Sequence, residues 1–329
     1  RHNVKRGRSC SVENLLYSLC QEVYQWCMGK TTKSPRELLR LSYEIGQKSL
    51  PLRWHRFSPK TFSPSQLFSC LILKAFYQLD YRATEQLLKD CPDLLSTIEL
   101  SKVPDYSTLC KAEKRLLDNE TTRVLLQETI QQALTRNKMK RLVELASLDG
   151  SGFESRHISE HYKKRQNLTG KILPHKKHPK LSLIVDTKSH IILGLKTGRG
   201  PKPDILDFES LLTQATDNVK IKCLAGDKGY DSEAVHILAR EKYNIETLIP
   251  PRIGWKNNAT PTAHYRRLMA TGGLDKARYG QRWQVETVFS MIKRMLRSAL
   301  TARNFFSQSR ELNLRALTLN IMIIRLFFR

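Results

Sequence analysis

The sequence predicts an α/β protein, a mixed β-sheet flanked by helices and preceded by an all-α segment. Three observations carry this. Residues 11 to about 137 space their apolar side chains by three and four with no strong strand signal. Beyond residue 140 the texture changes to short apolar, partly β-branched runs bounded by turn residues. Two segments of helical period separate the later runs, and the order β-β-β-α-β-α-β followed by a long helix describes a mixed sheet with helices packed on it.

In chain order, Val12 to Cys27, Pro64 to Leu79, Tyr106 to Leu117 and Thr121 to Arg136 are the expected N-terminal helices. The second has a clear start, with Ser63 as N-cap and Pro64 at the first helical position, where a missing N–H costs nothing. Thr31 to Ser34 and Asp80 to Arg82 are expected as polar breaks. The strands are Leu142 to Leu148, Leu181 to Val185, Ile191 to Leu195, Ile221 to Leu224 and Thr247 to Ile249. Helices are expected over Asp204 to Ala215 and Ser232 to Tyr243, a long connection or small insertion over 252–278, and a long helix from about 279. Leu312 to Phe328 is interrupted by Asn313, Arg315, Asn320 and Arg325 and is shorter than the ~20 apolar residues of a bilayer span, so it reads as a buried helix. This divides the chain into a helical domain over 1–138, an α/β domain over 139–300 and a C-terminal helix over 301–329.

Charge narrows the partner. Lys and Arg number 56 against 31 Asp and Glu, a formal net charge of +25, which points to a polyanion and first to nucleic acid. An anionic membrane surface is the weaker competitor. Seven cysteines with no C-x-x-C pair argue against a disulfide framework or zinc ribbon and for a reduced, intracellular setting. The basic opening has no apolar h-region behind it and no starting Met, so no secretory signal is expected and the N-terminus reads as incomplete.

Two apolar strands run into an Asp followed by glycine: Leu145 to Leu148 into Asp149-Gly150, and Lys222 to Gly226 into Asp227-Lys228-Gly229. A carboxylate there sits at the rim of a sheet where ligands collect, and glycine lets a backbone or ion approach closely. Asp186 leads from one strand straight into another and reads as a hairpin turn, while Asp231 and Ser232 read as helix caps. On a helix from 279, Tyr279, Arg282, Glu286 and Lys293 share a stripe about 60° wide, beside an apolar arc including Val285, Val288, Phe289 and Ile292. The plain alternative is an exposed ion-pair ladder from Arg282 to Glu286 and Lys293, in which Tyr279 has no part. Three carboxylates from two strand ends and one helix suit a hard divalent cation such as Mg²⁺, and two such ions support phosphodiester cleavage. Arg282 and Lys293 then orient DNA phosphates.

Tyr279-x2-Arg282-x3-Glu286-x6-Lys293, with Asp149-Gly-Ser and Asp227-Lys-Gly-Tyr-Asp ahead of it, resembles the signature of DDE transposases of the fourth insertion-sequence family. The resemblance covers about 140 to 300, and more weakly the N-terminal part through Pro104-Asp-Tyr-Ser-Thr-Leu. It implies a ribonuclease H-like catalytic fold, two Mg²⁺ ions with Mn²⁺ as a substitute, and cut-and-paste DNA transposition. Asp149, Asp227 and Glu286 then map onto the metal-binding triad, and Tyr279, Arg282 and Lys293 onto the accessory signature that contacts the transposon end. Only 58 residues separate Asp227 from Glu286, leaving little room for the large β-rich insertion of some members.

Two basic blocks flank these residues. Residues 156–180 hold eight Lys or Arg against one acid and residues 276–329 hold eleven against two, which reads as a phosphate track. Lys163, Lys164, Arg165, Lys176, Lys177, Lys228, Arg294 and Arg297 are the expected DNA contacts, with His175 and His178 as additions. His157-Ile-Ser-Glu160-His161 matches a zinc-peptidase pattern, but it is short, polar and set among cations that repel Zn²⁺. Tyr106 to Leu117, with Lys111, Lys114 and Arg115, is a candidate recognition helix for DNA ends, or the region is a helical dimerisation or packing domain with a solvated basic face. Trp255 is a candidate for stacking on a flipped base or for ordinary packing. The expected partner is double-stranded DNA, with a homodimer or higher oligomer on paired ends, no membrane, and a cytoplasmic, nucleoid-associated place in a bacterial cell. The competing functions are a non-catalytic DNA-binding derivative and a metal-dependent nuclease without strand joining.

Overall fold

The computed structural model describes residues 34–57, 60–155, 178–252 and 260–326. The expected helix over Val12 to Cys27 therefore lies outside the described residues. The N-terminal helices are α1 (Pro35–Ser49), α2 (Pro64–Phe76), α3 (Tyr81–Asp90), α4 (Pro92–Thr97), α5 (Tyr106–Leu116) and α6 (Asn119–Thr135). Four of these starts follow from short polar side chains that satisfy the first free N–H groups. Ser63 and Gln66 form a reciprocal capping box on α2, and Asp80, Asp105 and Asp118 cap α3, α5 and α6. Asp80 to Arg82 is thus not a break: Asp80 is the cap and Tyr81 the first residue of a helix. The polar texture that reads as a gap is the cap itself.

The strands are β1 (Leu142–Val143), β2 (Ala146–Gly152), β3 (Glu154–Ser155), β4 (His178–Asp186), β5 (Ile192–Gly200), β6 (Lys220–Ile221), β7 (Cys223–Gly226), β8 (Glu246–Leu248) and β9 (Ala299–Leu300). Five make the central mixed sheet in the order β5-β4-β2-β7-β8, with β1-β6 and β3-β9 as two short pairs. The β4-β5 hairpin turns at Asp186, whose carboxylate accepts the Lys188 and Ser189 N–H groups, so Asp186 is structural as its sequence context predicts. The parallel strands β7 and β8 are reached through α7 (Phe208–Thr216) and α8 (Glu233–Ile237). The described residues from Pro35 onward form one compact unit, and the core runs continuously from the N-terminal helices into the sheet.

The chain then runs through α9 (His264–Leu268), α10 (Lys276–Tyr279) and α11 (Trp283–Met295) to α12 (Phe305–Leu326). Short helices therefore occupy part of the 252–278 connection, while Trp255 lies outside the described residues. Leu312, Leu317 and Ile321 of α12 are fully buried. The polar residues that interrupt its apolar run are ties to neighbouring elements. Arg315 donates to the carbonyls of Arg297 (2.6 Å) and Ala299 (2.8 Å) and to Glu311, while Asn313 donates to Leu117 and Thr122. Asn320 accepts from the Ile192 N–H (2.9 Å) and donates to the Ile192 carbonyl and Thr129 (both 3.0 Å). One buried amide thus satisfies both outward backbone groups of Ile192 on edge strand β5. Among the described residues, no helix is long and apolar enough to cross a membrane.

Replacing Asn320 by Ala strands a buried N–H and C=O of Ile192, each of which costs about 1–3 kcal/mol when unpaired. Urea unfolding of Asn320→Ala is expected to show a stability loss of about 3 kcal/mol, with an unchanged m-value.

Candidate active site

The parallel register between β2 and β7 pairs Ala146 with Leu224, Ser147 with Ala225 and Leu148 with Gly226. The next residue is Asp149 on β2 and Asp227 just past the end of β7, so the two aspartates follow paired positions of neighbouring strands. Side chains alternate across a sheet, which puts Asp149 on the same face as Leu145 and Asp227 on the same face as Cys223 and Ala225. Those three residues pack with Leu248 and Tyr279, so both aspartates face the Tyr279–α11 side.

One expectation needs correction here. Asp149 does not follow the end of its strand: β2 continues through it to Gly152, because pairing with β4 runs on to Lys180 after β7 has ended. Only Asp227 lies beyond its strand, where its carboxylate accepts the Lys228 N–H (2.6 Å) and its carbonyl the Tyr230 N–H (2.9 Å). Gly150 points to the opposite face. A Cβ there would stand 2.8 Å from Lys180 Cε and 2.9 Å from Asp204 Oδ1, so the close neighbours of this glycine are side-chain ends rather than an ion. Asp204, whose ion pair with Lys180 fills that space, has no periodic signal that would single it out in the sequence.

A second correction concerns the helix from 279. Tyr279 ends α10, Gly280–Arg282 form a 3₁₀ turn, and the continuous α-helix begins at Trp283. Short 3₁₀ turns are common at helix N-termini, and Gly280 is a poor α-former. The backbone stays right-handed through the turn, so the signature residues still reach one side. Arg282 donates to Glu286 and lies 3.5 Å from Asp149 Oδ2, bridging the helix to the strand. The Arg282–Glu286 pair that a simple charge ladder requires is therefore present, but the same guanidinium also reaches Asp149. Lys293 Nζ donates to Ser151 Oγ (2.8 Å) and lies 5.1 Å from the Phe153 ring centroid. Tyr279 is half-buried against the strands, and burial raises its pKa, with Arg282 opposing.

Burial is the largest influence on Asp149, and together with the charges of Asp227 and Glu286 it raises the carboxyl above its ordinary value. The Gly150 N–H and Arg282 pull the other way. A crowded, partly buried carboxylate of this kind favours a neighbouring cation. All three carboxylates offer hard oxygen donors, the chemistry of a Mg²⁺ site, and in that sense the residues fit a divalent ion. Among the described residues, no group of three or more His, Cys, Asp or Glu side chains is gathered as a ligand set, and Glu286 is paired with Arg282.

With this geometry in view, a family model described as a transposase DDE domain matches residues 144–321. The chain belongs to that family. The match runs from just before β2 into α12 and includes every residue of the Asp149, Asp227, Glu286 and Tyr279–Lys293 constellation. No curated protein matches the chain. DDE transposases generally use divalent metals, which agrees with the oxygen-rich chemistry of the site.

The remaining expected DNA contacts divide. Lys228 and Arg294 are exposed beside the site, whereas Arg297 is half-buried and donates to Gln78 Oε1 (3.2 Å). Lys163, Lys164, Arg165, Lys176 and Lys177 lie outside the described residues, as do His175 and the 157–161 zinc-like pattern. Asp231 is a third correction. Ser232 precedes α8, and Asp231 instead accepts three contacts from Arg266 (2.8–3.0 Å) and the Arg252 N–H (2.7 Å). Glu233 accepts the N–H groups of Tyr265 and Arg266 at the start of α9. The turn that carries Asp227 is thereby pinned to the connection 252–266. Local sequence could not reveal a pairing between residues 35 positions apart.

Burial raises the Asp231 carboxyl, but the Arg266 hydrogen bonds prevail and hold it below its ordinary value. Removing one partner of a buried pair costs about 3 kcal/mol. Arg266→Ala is expected to lower the melting temperature at neutral pH. Because the folded-state value is depressed, the pair's contribution is complete above about pH 4 and fades as pH falls further. The gap in melting temperature between Arg266→Ala and wild type is therefore expected to close in acid, as read by melts across pH.

Proposed function

We propose that the chain is a DNA transposase with a ribonuclease H-like fold that binds the terminal inverted repeats of its own element. It cleaves phosphodiester bonds there and transfers the 3′ ends to target DNA in a cut-and-paste reaction. The observation that carries this reading is the placement of Asp149 and Asp227 at adjacent positions of two parallel strands, facing the helix that bears Glu286. The place of action is the bacterial cytoplasm on nucleoid DNA, and the assembly is a homodimer or higher oligomer on paired ends.

Asp149, Asp227 and Glu286 are the residues that would hold two Mg²⁺ ions, with Mn²⁺ as a substitute. When bound, such ions activate a nucleophilic oxygen and stabilise the leaving one. The protein's own groups supply position and charge. Arg282 offsets part of the charge of Asp149 and Glu286 and offers a planar donor fork for a DNA phosphate. Lys293, held at Ser151, places a second cation on the same face, and exposed Lys228 adds a third beside Asp227. In-line phosphoryl transfer depends more on such placement than on covalent chemistry by the protein.

A second reading is a non-catalytic DNA-binding derivative, favoured by the pairing of Glu286 with Arg282. A supercoiled plasmid carrying the gene's native flanking DNA separates the two. Wild type is expected to cut at the element ends in Mg²⁺ or Mn²⁺ but not in EDTA, and Asp227→Ala and Glu286→Gln are expected to lose at least about 100-fold in rate, the scale of one lost electrostatic contact in a transition state. Binding with a steep salt dependence but no cut in any metal supports the derivative instead. Cutting without strand joining identifies a nuclease.

A further inference from the structure

The connection between α1 and α2 carries chemistry that the carboxylate site does not use. Between Leu50 and Pro64 the sequence holds Arg53, His55, Arg56 and Lys60 and no Asp or Glu. Leu52 and Phe57 are 80% and 77% exposed, the most exposed large apolar side chains among the described residues. Trp54 between them packs against the core, and the Arg115 guanidinium of α5 lies 5.6 Å from its ring centroid. The loop is thus anchored at its middle and projects an apolar side chain on either flank.

The projecting ring is supported by its neighbours. Arg56 lies 4.5 Å over the Phe57 ring, the His55 ring stands 5.3 Å from it, and the Phe57 N–H donates to His55 Nδ1 (3.3 Å). Glu113, the acid nearest to Arg115 in sequence, is buried and paired with Lys74 rather than with a cation of this loop.

Exposed rings interleaved with cations are the chemistry of a stacking platform for single-stranded nucleic acid, in which a ring meets a base and cations meet the flanking phosphates. A membrane surface fits less well. Membrane-binding elements gather their apolar side chains on one continuous face, whereas here two arginines and a histidine stand between Leu52 and Phe57. The loop lies at the N-terminal end of α2, while Gln78 beyond the other end donates to the Met295 carbonyl of α11. At 1.5 Å per residue α2 separates the two by about 20 Å.

We propose that residues 52–57, backed by Arg115, are a docking surface for a DNA strand with unpaired bases, with Phe57 stacking on a base and Arg53 and Arg56 meeting phosphates. The inference rests on the DNA-acting reading above, but it concerns binding alone and is tested without metal. The full chain in EDTA is titrated with a fluorescent oligothymidylate, a duplex of the same length, and phosphatidylserine vesicles, for wild type, Phe57→Ala and the double variant Arg53→Gln/Arg56→Gln. Loss of one base stack is expected to weaken oligothymidylate binding of Phe57→Ala at least about 5-fold and to leave the duplex unaffected. The double variant is expected to weaken both and to flatten the salt dependence by about one to two contacts. Unchanged oligothymidylate affinity in Phe57→Ala overturns the proposal. So does vesicle binding that falls in the variants while oligothymidylate binding does not. Matching melting temperatures of wild type and Phe57→Ala confirm that the exposed substitution leaves the fold intact. A chain that never cuts DNA yet keeps Phe57-dependent binding sinks the transposase reading and leaves this one standing.

Discussion

The arrangement of the site depends on one pairing, the parallel alignment of β2 with β7. Leu148 opposite Gly226 brings Asp149 and Asp227 to adjacent positions, and a slip of one residue would send one of them to the other face of the sheet. Register is therefore the constraint behind the chemistry. It is protected on both flanks: β4 holds β2 through Gly152, and β8 pairs with β7 from Cys223 to Ala225. Parallel strands cannot be joined by a tight turn, so the helices between them are consequences of the same pairing.

The face opposite the carboxylates is as crowded as the one they share. Lys180 and Asp204 press against Gly150, and the fully buried Tyr230 ring follows the Asp227 turn. On the carboxylate face, Arg282 serves as an internal counter-ion between strand and helix. Its guanidinium brings Asp149 and Glu286 into one electrostatic unit and offsets part of the repulsion around the partly buried Asp149. Clustered like charges cost stability unless a cation accompanies them, and here that cation comes from the same motif.

Polar groups play a second part away from the site. Asn320 and Arg315 of α12 lie in an otherwise apolar helix, and each completes backbone hydrogen bonds of a neighbouring segment. A hydrophobic helix packs in many rotations about its axis, whereas buried hydrogen bonds select one. The Asp231–Arg266 pair does the same for the connection before α10, tying it back to the turn that carries Asp227.

Much of this was legible in the chain alone. Helix and strand periods, the Ser63 cap, the hairpin at Asp186 and the fixed spacing from Tyr279 to Lys293 are local patterns, because side-chain alternation and capping act within a few residues. They determined the α/β class, the order along the chain of the five central-sheet strands and the family. Tertiary structure decided what depends on distant partners. Whether Asp149 ends its strand is set by β4, whether Asp231 caps a helix is set by Arg266, and whether Gly150 faces an ion or a lysine is set by the far side of the sheet. Even the polar stretch at Asp80 changed its meaning, since a cap and a gap share the same composition. Long-range pairing leaves no period in a sequence, and for that reason the exposed cationic and aromatic loop before α2 became visible only once the packing showed which of its rings were left in water.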